Sequence, residues 1–422
     1  MTVRRFFRHP RFRRLAGVLA GLLALPLSGG GASAGALVRP WLYRQYRSER
    51  PATVPVRVTA TAAIVMDARS GQVLYSRNPH LIWPPASTTK ILTALVALHR
   101  ASPDAPITIS RAVSRFRVCS VVGLPAGAVI PLHDLLYALL LPSGNDAALA
   151  IAEGVAGTVS AFVAQMNDEA RRLGARQTNF TSPHGLYDPN HYTTVYDLAL
   201  IARAAMQDET FRDIVRTERW TFRPPGARAR VLTNHNRMLW WYPGADGVKT
   251  GYVNMSGETL VESATRNGWR LIVVEFHSRD MWGDASRLLT YGFDHYRAVE
   301  VARAGEEMAA VQLPGTRAVV VGAVPNAVYA DVSGTEAPSR RVVIDPRLAL
   351  PVRRGERLGT VDFYESGQLV QSAPIVATSG VGANTNPVAR IIGWFERMVE
   401  EVVAADPLPH ARQGAAPGAR RD

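Results

Sequence analysis

Lysine is nearly missing from this 422-residue chain: of its 48 basic residues only Lys90 and Lys249 are lysines, and the rest are arginine. Cysteine is scarcer still. A single Cys119 excludes a disulfide framework, and its RFRVCSVVG surroundings carry no thiol-protease pattern, so it is expected to be a small, partly buried side chain. Charged residues make up 20% of the chain, below the level of a disordered or nucleic-acid-wrapping protein. No zinc-finger spacing, RNP-type motif or basic helix is present, which argues against a nucleic-acid partner. What is there is 47% hydrophobic, enough for one large core and a smaller second one. The net charge of +13 suits an anionic polymer or surface.

The scarcity of lysine singles out two positions. Arginine serves almost everywhere that a cation suffices, and a guanidinium neither loses its proton in a protein nor replaces a compact ammonium. Lys90 and Lys249 are therefore candidates for chemistry before any motif is considered.

The amino-terminal residues 1–34 read as an export signal: Arg4, Arg5, Arg8, Arg11, Arg13 and Arg14 precede the apolar run LAGVLAGLLALPL, and Ala32-Ser33-Ala34 offers a cleavage site. An uncleaved anchor is the second reading, and both send the remainder out of the cytoplasm. Residues 35–58 read as a linker. Alternation from Ala62, with Gly71 at a turn, predicts a β-hairpin. PPASTTKILTALVALHR predicts a helix that is apolar nearly all round and hence buried. Leu132 to Glu153 is a second apolar helical region, interrupted at Pro142-Ser143-Gly144. Residues 158–173 and 193–207 carry amphipathic helical spacing around a loop. TLVESATRNGWRLIVVEF predicts two strands joined at Arg266-Asn267-Gly268, followed by a helix at about Trp282–Tyr291. Strands at both ends with helices between them predict an α/β layered domain over 59–296. Short strands between Gly and Pro turns predict a small all-β domain over 297–380. Asn386-Pro387 opens an amphipathic helix over 386–404, which suits a membrane surface or packing on its own domain equally. Residues 405–422 read as a disordered tail.

Three short motifs carry chemistry. Ser87 and Lys90 are three apart, one turn of the same helix, with the serine near the positive end of the helix dipole. A lysine held against that dipole in apolar surroundings has a lowered pKa, and a neutral amine beside a hydroxyl is a general base. Ser143-Gly144-Asn145 breaks a buried helical region and presents a hydroxyl and an amide, suited to a proton relay and a carbonyl anchor. Lys249-Thr250-Gly251 opens a strand: Lys249 offers positive charge to a carboxylate, Thr250 a hydroxyl, and Gly251 lets a substrate backbone approach.

In this order the motifs resemble the S-x-x-K, S-x-N and K-T-G signature of the penicillin-binding protein and serine β-lactamase superfamily. PPASTTKILTAL, LLLPSGNDAALAIAE, MNDEARRLGARQTNFTSPHGLYDPNHYTTVYDLALIA and DGVKTGY are similar to the low-molecular-mass D-alanyl-D-alanine carboxypeptidases, peptidase family S11, over about Ala62 to Phe293. PVRRGERLGTVDFYESGQLV resembles that family's C-terminal domain. The resemblance implies a β-lactamase/transpeptidase-like sheet flanked by helices. It further implies peptidoglycan stem peptides as substrates, β-lactams as covalent inhibitors, and no metal or other cofactor. By the same resemblance Ser87 is the acylated nucleophile, Lys90 its base, Ser143 a proton shuttle and Asn145 a substrate anchor. Lys249 and Thr250 read the terminal carboxylate, Gly251 and Tyr252 join the substrate-binding strand, the N–H groups of Ser87 and Tyr252 form the oxyanion hole, and Arg279 is the candidate carboxylate arginine. Val253 stands where a threonine is usual.

Rival readings differ at specific residues. A class A β-lactamase needs an E-x-x-L-N segment after Ser143, which is absent. A zinc peptidase needs a ligand spacing that His184 and His191, seven apart in a loop, do not supply; they read as structural or surface residues. A D,D-endopeptidase would use the same residues as a carboxypeptidase, and an inactive wall-binding homologue would keep the fold without needing the motif side chains.

Overall fold

The computed structural model describes residues 56–313 and 319–382. The expected export signal, the helix over 386–404 and the tail lie outside the described residues, as does all of the linker except its last three residues.

The chain opens with the hairpin β1 (Ala62–Asp67) and β2 (Val73–Arg77). A 3-10 turn, Ala86–Thr89, runs directly into α1 (Lys90–Arg100). The ribbon of β3 (Pro106–Thr108) and β4 (Val129–Pro131) encloses the short α2 (Arg111–Arg115). Then follow α3 (Leu132–Leu140), α4 (Asn145–Ala156), α5 (Val159–Arg172), α6 (Val195–Ala205) and α7 (Glu209–Val215). A second ribbon, β5 (Arg219–Phe222) and β6 (Arg230–Thr233), leads through a 3-10 turn at Arg237–Trp240 into β7 (Ala245–Val253), β8 (Gly257–Arg266) and β9 (Trp269–Ser278). The layered part closes with α8 (Met281–His295), longer at both ends than the sequence spacing predicts. Asp280 caps its amino end by accepting from Gly283 N.

The sheet is antiparallel throughout, in the order β2-β1-β9-β8-β7. Alternation along β1 sends Ala62, Ile64 and Met66 to the core shared with α1 and α3–α6, and Ala63 and Val65 to the core under α8. Both faces of the sheet are covered, by the helices of the first core on one side and by α8 on the other. The last linker residues join the second core: Val56 and Val58 pack under α8, and Thr59 Oγ1 donates to Asp284 Oδ2 at 2.6 Å.

β10 (Arg297–Ala302), β11 (Glu307–Gln312), β12 (Val319–Ala323), β13 (Val328–Val332), β14 (Ser339–Ile344), β15 (Arg357–Glu365) and β16 (Gln368–Ala377) form the small all-β part with its own core around Val320, Leu358, Val361 and Ile375. It is pinned to the β1–β2 turn. Ser70 Oγ donates to Asp331 Oδ2 at 2.7 Å, Gln72 exchanges two hydrogen bonds with the Asp331 backbone, and the Arg69 guanidinium lies 4.2 Å above the Tyr329 ring. Among the described residues, no single helix is long and apolar enough to cross a membrane.

Candidate active site

Two prolines precede the turn that carries Ser87. The Pro85 carbonyl accepts from the Thr88 hydroxyl at 2.7 Å and from Thr259 Oγ1 on β8 at 3.1 Å, which fastens the turn to the sheet. Ala86 holds a left-handed φ of 51°, an uncommon conformation for a residue with a Cβ. The loop after α5 clamps this turn from outside. Gly185, at φ 83°, lies so close that a Cβ there would stand 1.9 Å from the Ala86 carbonyl oxygen. His191 completes the clamp, its Nε2 2.8 Å from Thr89 Oγ1 and its Nδ1 accepting from Thr181 N at 3.0 Å.

Lys90 is fully buried. Its Nζ lies 2.9 Å from Ser87 Oγ, 2.7 Å from Asn145 Oδ1 and 2.7 Å from the His184 carbonyl oxygen. Burial, followed by the nearby charge of Lys249, holds its pKa well below the usual lysine value. The orientation of Asn145 is set because its Nδ2 donates to Val118 O at 3.0 Å. Asp146 anchors the same corner by accepting from the N–H groups of Val122 and Gly123 at 2.9 and 2.7 Å.

Ser143 sits in the break between α3 and α4 at φ 65°, and its buried Oγ has no hydrogen-bond partner among the described residues. The hydroxyl lines the same cleft as Ser87, so an unpartnered, strained, cleft-facing hydroxyl interrupts the helical region that the sequence singled out.

β7 is the edge strand of the sheet, and its free edge borders the cleft. Gly251 packs against the Ser87 turn: a Cβ there would stand 3.0 Å from Ser87 N and 2.4 Å from Thr259 Oγ1. Tyr252 is exposed and pairs in register with Glu258. Lys249 is 1% exposed, donates to the Thr250 carbonyl at 3.0 Å, and burial lowers its pKa to about 7.

The cleft has a volume of 880 Å³. Part of its wall comes from residues the motifs did not mark: His235 and Arg237, Trp240, Glu258, Met281 and Trp282. Arg237 had no contrast in an arginine-rich chain, and the part played by the His184 carbonyl is a backbone property with no sequence signature. Arg279 does not join this wall; its side chain is exposed, and its backbone N–H donates to Thr59 Oγ1 at 3.0 Å. β9 turns away into α8 at that point, so Met281 and Trp282 face the cleft in its place. Cys119 is exposed on the cleft rim rather than partly buried, with a left-handed φ of 57°. His184 and His191 are both built into the clamp, and burial lowers each to a pKa of about 3.

Comparison with known proteins agrees with this architecture. The family model for D-alanyl-D-alanine carboxypeptidase, peptidase S11, matches residues 48–279. The D-alanyl-D-alanine carboxypeptidase DacA of Haemophilus influenzae is 30% identical over 351 residues, which is 78% of this chain and 86% of that protein. DacB2 of Mycobacterium tuberculosis is 37% identical over 238 residues, 54% of this chain and 81% of the relative. Among solved structures, penicillin binding protein 5 from Haemophilus influenzae superposes with a TM-score of 0.70 at 28% identity, covering 78% of this chain and 99% of its own. With the family model spanning more than half of its length, the chain belongs to peptidase family S11, the serine D-alanyl-D-alanine carboxypeptidases.

Proposed function

We propose that Ser87 is the acylated nucleophile of the D-alanyl-D-alanine carboxypeptidase reaction and that neutral Lys90 is its base. The observation that carries this is the set of three oxygens around Lys90 Nζ. Two of them, Asn145 Oδ1 and the His184 carbonyl, can only accept. A neutral amine has two N–H bonds and one lone pair. The two N–H bonds satisfy the two carbonyl-type oxygens, which leaves the lone pair for the one neighbour able to donate, the Ser87 hydroxyl. Burial and the charge of Lys249 both favour that neutral form.

In this reading the Ser87 Oγ–H proton passes to Lys90 Nζ while Oγ bonds to the carbonyl carbon between the two D-alanines. The carbonyl oxygen becomes an oxyanion held by the N–H groups of Ser87 and Tyr252, at the start of the Ser87 turn and on the edge strand. Ser143 Oγ, without a hydrogen-bond partner among the described residues, hands its proton to the departing D-alanine nitrogen as the peptide C–N bond breaks, and takes in return the proton that Lys90 received from Ser87, which restores the neutral amine. Water then attacks the ester, releases the shortened stem peptide and returns the proton to Ser87.

Thr250 and Lys249 read the terminal carboxylate. A lysine with a pKa near 7 is only partly charged at neutral pH. A permanent cation is therefore needed, and Arg237 is the one arginine or lysine among the residues lining the cleft. Arg237 takes the place that sequence reading gave to Arg279. The substrate is the stem peptide of peptidoglycan, β-lactams acylate Ser87, and the enzyme works outside the cytoplasm.

The experiment is hydrolysis of a pentapeptide stem ending in D-Ala-D-Ala, with a crosslinked dimer in parallel. Release of D-alanine by the native chain, absent in Ser87→Ala, supports the reading; release that persists in Ser87→Ala contradicts it. Arg237→Gln raises KM for the pentapeptide at least about ten-fold, as loss of a charged hydrogen bond requires, and Arg279→Gln leaves it unchanged.

A further inference from the structure

A second pocket lies at the far end of the sheet from the cleft. It holds 470 Å³ between the β1–β2 turn, α6 and the β8–β9 turn. β8 runs from Glu258 in the cleft wall to this turn, which puts about 30 Å between the two at about 3.3 Å per residue. Arg69, Arg203 and Arg270 line the pocket, with the Gln207 amide beside them and Leu173, Leu200 and Ala204 as an apolar side.

The charge of these arginines is largely uncompensated. Arg203 spends its Nε and Nη2 on the carbonyls of Ala68 and Arg69, at 3.0 and 2.7 Å. Arg69 Nη2 donates to the Gly268 carbonyl at 3.1 Å. Carbonyl oxygens fix a guanidinium in place without cancelling its charge. Arg270 alone has a carboxylate partner, Asp246, at 2.8 Å, and that carboxylate also takes the Ser263 and Thr265 hydroxyls. Asp67, close by in sequence, is turned away: it accepts from the Arg69 and Ser70 backbone N–H groups and from Trp269 Nε1. Three guanidiniums are thus held around one space with one carboxylate, Asp246, bonded among them, while Arg69 also lies over the Tyr329 ring and within electrostatic reach of buried Asp331. Gly71 makes this possible at φ 78°, because a Cβ there would stand 3.2 Å from the Arg203 guanidinium carbon.

Pre-positioned planar forks match the oxygens of a phosphate group. We propose that this pocket binds a phosphate ester, the anionic phosphate against Arg69 and Arg203 and its organic portion along Leu173, Leu200 and Ala204. An ester fits better than free phosphate because the pocket has an apolar side as well as a charged one.

The test is calorimetric titration of the full chain with glycerol 3-phosphate and, separately, inorganic phosphate. Saturable binding of glycerol 3-phosphate is expected. It weakens at least ten-fold in Arg69→Gln and in Arg203→Gln and falls as salt is raised, while acylation of Ser87 by a fluorescent penicillin is unchanged. Should Arg203→Gln fail to fold, Arg69→Gln, altered at an exposed side chain, still decides. Co-sedimentation with phosphatidylglycerol vesicles, against phosphatidylcholine vesicles, identifies the source. Retention that Arg69→Gln reduces assigns a lipid headgroup; binding of the soluble ester without such retention assigns a soluble or polymer-borne ester. Absence of saturable binding, equal binding by both variants, or tighter binding of inorganic phosphate than of the ester would overturn the proposal.

Discussion

At the scale of the residue, Lys90 shows why an arginine-rich chain keeps a lysine. No guanidinium fits the space between Ser87, Asn145 and the His184 carbonyl, and none gives up its proton there. Lys90→Arg is therefore expected to slow acylation of Ser87 by a fluorescent penicillin by about 10²–10⁴-fold, the usual worth of a general base. The pH dependence follows from the two lysines. In the proposed reaction Lys90 acts only when neutral, so kcat/KM is expected to fall as pH drops through its depressed value. Lys249 is useful only when charged, so carboxylate binding weakens as pH rises through about 7. A profile of kcat/KM against pH should show an alkaline limb near 7 that disappears in Lys249→Arg. At this scale the motif residues, marked by type and spacing, are brought together: Ser87, Ser143, Thr250 and Gly251 line one cleft, and Lys90 is bonded to Ser87 and Asn145. Arg237, which lines the cleft, was not marked, because an arginine among so many carries no contrast; Arg279, the arginine that the resemblance puts on the carboxylate, has an exposed side chain outside the residues lining the cleft.

At the scale of the element, the central strands and the long helices could be read from period alone, since each buries one or both faces. Strands β5 and β6, α7 and the two 3-10 turns could not: each is seven residues or fewer, too short for a period to declare itself. The clamp on the Ser87 turn was likewise hidden, because it depends on a backbone approach at Gly185. Gly185→Ala is expected to cost about 1–3 kcal/mol by overpacking and to reduce penicillin labelling more than ten-fold, measured by denaturant unfolding and gel fluorescence. Strands β8 and β9 carry another element-scale feature. Glu262 and Glu275 are fully buried on the α8 side, and neither carboxyl has a hydrogen-bond partner among the described residues, although the Asn236 amide approaches Glu262. Burial raises both pKa values well above the usual range. The folded state thus binds more protons than the unfolded one. Its advantage is complete below the unfolded value of about 4.3 and is lost as pH rises through the raised folded values. Thermal unfolding should show stability declining on the alkaline side, and Glu262→Gln with Glu275→Gln should flatten that decline.

At the scale of the whole molecule, the small β part is held to the catalytic part through one turn. Asp331 is buried beside Asp67, and burial followed by the neighbouring carboxyl raises its pKa. Protonated Asp331 lets the two acids coexist while Ser70 and Gln72 complete the joint. By the same sign, that contribution is present at low pH and lost as pH rises through the raised value. Hydrogen exchange at Ser70, Gln72 and Asp331, corrected for intrinsic rates, should accelerate at alkaline pH in the native chain and less so in Asp331→Asn. The division into layered and all-β parts was legible from the change in texture near residue 297, whereas this joint, made by residues about 260 apart, was not. The scarcity of lysine also provides the most direct probe of the whole account. In protein labelled at lysine Nζ with ¹⁵N, only two side-chain signals exist, and Lys249→Arg assigns them. Titration is expected to show both amines losing their protons well below the usual lysine value, with Lys90 neutral at the pH where Ser87 is acylated. A Lys90 signal that stays protonated up to about 10.4, the value of an unperturbed lysine, would contradict the proposed mechanism.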